Sequence, residues 1–256
     1  MATLGFIGSG HVGAKVARLA IAAGIDVVLS NSRGPESLAA TVAELGERSR
    51  AATPEEAALA GDRVVVSIPL AAHRALPAAA LAGKVVLDTM NYYPFRDGRI
   101  ETLDSGELAT TEFVQQHLAG ARLVKAFNNI SDQHLLELAR PAGAADRTAL
   151  PIAGDDPEAK ASAAELISRL GFDTVDAGPL SESWRFEPET AAYLAAYSAD
   201  PDAAIALFAE LGKAVRAGTP PLQAPPVGPG APLPAARLRT LLDGTARKLT
   251  ADRVLA

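Results

Sequence analysis

Cysteine is missing from the chain altogether. With it go disulfides, thiolate metal ligands and a thiol nucleophile, and four scattered histidines give no reason to expect a structural metal. Blocks of like charge are missing too. Lys and Arg number 24 against 30 Asp and Glu, a formal net charge of −6, so nothing is laid out to track a phosphate backbone and nucleic acid is not an expected partner. No apolar run approaches the roughly 18 residues of a membrane span, and Met1 to Ile7 lack the basic region and apolar stretch of a signal peptide. The expectation is a cytoplasmic protein with no membrane partner.

What the chain does have is apolar material in a recurring order. Hydrophobic residues make up 48% of its 256 positions, enough for one large domain and a smaller appendage. Short β-branched runs alternate with Ala- and Leu-rich segments of helical period, the pattern of a parallel sheet covered by helices. Eight strands are predicted, at residues 3–7, 26–30, weakly near Arg50, and at 63–67, 84–88, 122–126, 149–153 and 172–176. In the first helix Val12, Val16, Leu19 and Ala23 fall on one stripe, and Gly24 stops it. Asp156 before Pro157 reads as a capped helix start, the helix running to about Leu170 and ended by Gly171.

The expected fold class is therefore α/β: a Rossmann-type doubly wound, mainly parallel sheet with helices on both faces over residues 1–180, then a small helical C-terminal region over 181–256. Helical segments are expected at about 188–198, 202–215 and 235–249. Residues 218–234 are dense in Pro and Gly and read as an extended stretch, either a flexible linker or an ordered arm that embraces a partner subunit.

Gly8-Ser9-Gly10-His11-Val12-Gly13 follows the first strand directly and opens the first helix, the context in which this glycine spacing binds a dinucleotide. Gly8 permits the tight turn, Gly10 lets the backbone approach a pyrophosphate, and Gly13 lets the helix pack closely on its strand, while the helix-start amides face the phosphates. The second strand ends Ser30-Asn31-Ser32-Arg33 with no carboxylate for the ribose hydroxyls of NAD. Two hydroxyls, the Asn31 amide and the Arg33 guanidinium suit a 2′-phosphate, so NADP is the expected cofactor. Ile68 and Pro69, at the end of the fourth strand, suit a wall beside the cofactor ribose. Asn91 in the loop after the fifth strand, and Ala126 with Asn128 after the sixth, occupy the same carboxyl edge and are expected at the nicotinamide and substrate. The alternative for these amides is that they tie loop backbone together.

With these residues assembled, the chain resembles the coenzyme F-420-dependent NADP oxidoreductase family over roughly residues 3–195. The matching features are the glycine motif, the stretch Ser30 to Arg33, Ile68-Pro69, Gly154-Asp155-Asp156 and, most distinctive, Asp176-Ala177-Gly178-Pro179-Leu180-Ser181. The resemblance implies direct hydride transfer between NADPH and the deazaflavin ring of F-420, a small-molecule substrate, which needs mainly proximity and orientation. That fits a sequence in which no catalytic residue and no metal ligand set is identified. His11 is read as lining the pyrophosphate turn and His73 as beginning a helix. Residues 90–94 and the segment after Leu194 depart from a compact deazaflavin reductase, and residues 89–94 and 125–128 look similar to the NADPH modules of ferric reductases, so a flavin, ferric or quinone-type acceptor stands as the alternative. A non-catalytic NADPH sensor is a further one. The helical C-terminal region suggests a homodimer.

Overall fold

The computed structural model describes residues 2–219 and 227–250. Six strands form one parallel sheet: β1 (Thr3–Ile7), β2 (Asp26–Ser30), β3 (Ser49–Ala51), β4 (Arg63–Val66), β5 (Val85–Asp88) and β6 (Arg122–Lys125). Their order is β3-β2-β1-β4-β5-β6, the doubly wound arrangement in which the chain reverses direction of travel between β1 and β4. The connecting helices are α1 (His11–Ala22), α2 (Ala39–Leu45), α3 (Pro54–Ala60), α4 (Ala78–Leu81), α5 (Pro94–Asp97), α6 (Glu101–Asp104) and α7 (Thr110–His117). Beyond the sheet follow α8 (Asp132–Leu138), β7 (Ala149–Ile152), α9 (Pro157–Arg169), β8 (Asp173–Asp176), α10 (Pro201–Arg216) and α11 (Ala235–Gly244).

The central strands β1, β4, β5 and β6 are apolar on both sides because both sides are covered. Phe6, Val65, Leu87 and Val124 join one core with α1, α8, α9 and α11. Their sequence neighbours Ile7, Val64, Val66, Val86 and Leu123 point the other way and join a second core with α3, α4 and α7. A period-two backbone between two helical layers requires this division.

All eight expected strands are present, with bounds within a residue or two. The last two differ in placement. β7 and β8 pair with each other in parallel, and among the described residues their pair meets β6 through one antiparallel bridge, Lys125 to Ala153. Two motifs meet at the end of that pair: the Gly154 amide donates to the Gly178 carbonyl at 3.0 Å, and the Leu180 amide to Asp155 Oδ1 at 2.8 Å. The segment Asp176 to Ser181 thus works as a structural clasp.

Three helix expectations need correction. Residues 188–198 hold only a 3₁₀ turn at Leu194–Tyr197, because Glu189 and Leu194 take positive φ, 74° and 28°, and interrupt any helix. The last helix stops at Gly244 instead of Leu249, at a glycine with little helical preference. In α1 the fully buried stripe is Gly13, Val16, Ala17 and Ala20, with Val12, Leu19 and Ala23 only flanking it. The smaller side chains let the helix axis come closer to the sheet, so they face it. Of the Pro- and Gly-rich stretch, residues 220–226 lie outside the described residues. The rest of its second half runs extended against the body: Gly230 N donates to Tyr197 O at 2.8 Å, and the Ala149 amide of β7 to Leu233 O at 2.8 Å.

The start of α9 is built as its sequence indicates. Asp156 Oδ1 accepts from the amides of Glu158 and Ala159 at 2.8 and 3.1 Å. Asp156→Ala is expected to lower stability by about 1 kcal/mol, measured by denaturant unfolding.

Candidate cofactor and acceptor site

Between β1 and α1 the chain turns within a few residues, and the geometry leaves the glycines no substitute. Gly8 has φ 98°, and a Cβ there would lie 2.1 Å from the Ser67 carbonyl oxygen. A Cβ on Gly13 would lie 2.3 Å from the Gly8 carbonyl oxygen. Gly10 is different: a Cβ there meets nothing within 4 Å, so the space above the turn is open. Gly10 is also the N-cap of α1 and offers no side-chain cap, and the first intrahelical bond is Ala14 N to Gly10 O. The amides of His11, Val12 and Gly13 therefore precede the helical ladder, at the positive end of a twelve-residue helix. Ser9 is half-buried beside them and His11 is exposed, its Nδ1 3.8 Å from Asp132. This cradle fits the pyrophosphate of a dinucleotide.

The loop after β2 divides its labour. Ser30, expected to offer a hydroxyl, is fully buried and donates to the Phe6 carbonyl at 2.7 Å, so it fastens β2 to β1. Asn31 is also engaged: Oδ1 accepts from the Arg33 amide at 2.9 Å, and Nδ2 donates to Ser37 Oγ at 2.8 Å. The Asn31 side chain shapes the turn, an Asx turn, instead of facing a ligand. Ser32 and Arg33 stand exposed at its tip. The donor set left for a 2′-phosphate is one hydroxyl and one guanidinium.

Further along the edge, Ile68 is half-buried and Pro69 exposed. Ala126 is wholly buried and presents no side chain. Asn91 and Asn128 are buried and bonded to each other. Asn91 Nδ2 donates to the Asn128 carbonyl at 2.7 Å, and Asn128 Nδ2 donates to Asn91 Oδ1 at 3.0 Å and to the Phe186 carbonyl at 2.9 Å. Both side-chain amides are thus engaged in tying the loops of this edge together, while Asn128 Oδ1 has no hydrogen-bond partner among the described residues. His73 lies within the 3₁₀ turn Leu70–Ala75 and does not start a helix; it is buried with Nδ1 2.9 Å from the Leu70 carbonyl oxygen, and burial lowers its pKa.

Several features of the site carry no local sequence signal. Asp88 and Lys125 form a buried ion pair at the ends of β5 and β6. The hydroxyls of Tyr93 and Tyr193 meet, and Phe208 of α10 packs on both rings, with centroids 5.5 and 5.9 Å away. Burial raises the pKa of both phenols, Tyr193 the more strongly, so each keeps its proton. Beside this cluster opens a cleft of about 420 Å³, with His11, Asp132 and His134 on a polar wall and Leu194, Leu207, Phe208 and Leu211 on an apolar one. It adjoins the start of α1. Trp184, in the 3₁₀ turn Leu180–Phe186, lies between two guanidinium groups, Arg185 at 4.7 Å and Arg247 at 5.7 Å from its ring.

Comparison with known proteins decides the family. A family model described as coenzyme F-420-dependent NADP oxidoreductase matches residues 3–92. The crystal structure of the hypothetical protein SMa0349 from Sinorhizobium meliloti is 32% identical, covers 72% of this chain and 88% of its own, and superposes with a TM-score of 0.62. The chain belongs to the coenzyme F-420-dependent NADP oxidoreductase family. That family is described as one of NADP oxidoreductases. A proposed F-420-dependent NADP-reductase from Arthrobacter sp. FB24 is 26% identical over 72% of this chain and 87% of that one, with a TM-score of 0.59. Metalloreductase STEAP3 of Rattus norvegicus is 28% identical over 187 residues, 72% of this chain. The chain spans only 35% and 39% of the lengths of the curated relatives it matches. Among the described residues no helix is long and apolar enough to cross a membrane.

Proposed function

We propose that this member of the family transfers a hydride between NADP(H) and the deazaflavin of coenzyme F-420. The observation that carries the reading is the uncapped, glycine-built start of α1 opening beside an amphipathic cleft large enough for part of a planar ring system. Residues 1–180 hold the cofactor: Gly8, Gly10 and Gly13 shape the turn, the amides of His11 to Gly13 hold the pyrophosphate, and Ser32 with Arg33 receives the 2′-phosphate. Ile68 and Pro69 wall the ribose. NADPH, when bound, supplies the hydride.

The protein's own contribution is placement. Leu194, Leu207, Phe208 and Leu211 give the acceptor an apolar wall that excludes water, and His11 and Asp132 give its polar margin hydrogen-bond partners. Hydride transfer between two held rings draws on proximity and orientation, and needs no nucleophile. Through Leu194, Leu207, Phe208 and Leu211 the described part of the C-terminal region, 181–256, borders this cleft, and a homodimer built on the helical C-terminal region is part of the same reading.

Mixing the purified protein with NADPH and oxidised F-420 is expected to bleach the deazaflavin absorbance as NADPH is consumed. Similarity to a metalloreductase favours a second reading, a flavin, ferric or quinone-type acceptor. Reduction of those acceptors with F-420 left unchanged would replace the first reading by the second. Binding of NADPH without turnover of any acceptor would leave a cofactor sensor.

A further inference from the structure

The carboxyl ends of β5 and β6 conceal an ion pair with an unusual grip. Asp88 and Lys125 are register partners across the two strands, both fully buried, with Nζ 3.6 Å from Oδ2. Both ends of Met90 are held between them. Its amide donates to Asp88 Oδ1 at 2.8 Å, and its carbonyl accepts from Lys125 Nζ. Thr111, also buried, donates its hydroxyl to Asp88 Oδ2 at 2.6 Å. The next residue along is Asn91, joined to Asn128.

Burying two ions carries a desolvation penalty that their attraction barely offsets, and apolar residues of similar volume would join the strands as well. Stability therefore does not account for the pair. Two things do distinguish it from an apolar pair: it clamps the Met90 backbone at both ends, and it sets one negative and one positive charge under the edge proposed for the nicotinamide.

We propose that Asp88 and Lys125 are a positioning pair for the nicotinamide, fixing the loop after β5 and balancing the charge beneath the ring so that neither redox form of the cofactor is favoured. This rests on the NADP reading above. The oxidised ring carries a positive charge that the reduced ring lacks, so removing one ion shifts the ratio of NADP⁺ to NADPH affinity in a direction set by the ion left behind.

Calorimetry with NADPH and NADP⁺ provides the test. Lys125→Gln, titrated at about pH 8.5, well above the ordinary carboxyl range, is expected to favour NADP⁺ over NADPH by about tenfold relative to the unaltered protein. Asp88→Asn, titrated at about pH 6, well below the ordinary lysine range, is expected to move the ratio about tenfold the other way. Both variants break the same clamp, so a merely structural role would move them together. Lys125→Arg keeps the charge and is expected to keep the ratio. Thr111→Val strands no ion and withdraws one donor from the carboxylate; a shift of about two- to threefold toward NADP⁺ is expected, and it decides the matter if either charge-deleting variant does not fold. Parallel shifts, or unchanged ratios, overturn the pair's role. Failure of the unaltered protein to bind either cofactor overturns the NADP reading instead.

Discussion

Replacing Gly8 with alanine is expected to lower stability by about 4 kcal/mol and to abolish NADPH binding, read by denaturant unfolding and by calorimetry. The size follows from two independent insults. The φ of 98° is a conformation that a side chain makes costly, and the added methyl would sit 2.1 Å from the carbonyl oxygen of Ser67, a residue whose amide is held by the Ile7 carbonyl at 2.8 Å. The amide of Gly8 also donates to Ser30 O at 3.0 Å, so the turn cannot swing aside without loosening β2. Gly10→Ala is the control within the same motif. Its methyl enters open space, so the melting temperature is expected to stay within about 2 °C while NADPH affinity falls. A Gly8→Ala protein that melts and binds like the unaltered one would contradict the geometry of the turn.

Arg33→Ala is expected to weaken NADPH binding by about 1.5 to 3 kcal/mol, the scale of a charge-assisted hydrogen bond, with little effect on NADH. The burden on Arg33 is heavier than the sequence suggests. Of the four polar groups that close β2 and begin its loop, Ser30 is spent on Phe6 and Asn31 on Ser37 and the Arg33 amide, which leaves Ser32 and the guanidinium. Equal losses for the two cofactors would show that Arg33 recognises the adenosine and not the extra phosphate.

Those same residues show where sequence reading succeeds and where it stops. Most strands were legible because they are short apolar or β-branched runs bounded by Gly, Pro or polar residues, and the parallel sheet followed from helical segments between them; β3, Ser49-Arg50-Ala51, has no such run and read only weakly. The cradle was legible because a glycine motif is a statement about backbone, and backbone constraints are local. Ser30 was misjudged because its orientation depends on strand pleat: one position earlier or later its side chain would face the opposite side of the sheet. Asn91 and Asn128 lie 37 residues apart, and their mutual bonds exist only once β5 and β6 are neighbours. The Tyr93, Tyr193 and Phe208 cluster draws on three distant segments, so no local pattern announces it. In 188–198 the Ala- and Leu-bearing composition resembled a helix, but tertiary packing imposed left-handed backbone at Glu189 and Leu194.

Trp184 is the sole tryptophan of the chain, and it is flanked by a guanidinium from its own turn and by one from the segment beyond α11. Arg247 is meanwhile bonded to the Leu108 carbonyl at 2.9 Å, so the indole marks the seam where the segment just after α11 is stitched to the rest. The molecule therefore carries a native fluorophore at that seam, whose emission answers to whether the segment around Arg247 is docked or peeled away without any label being attached.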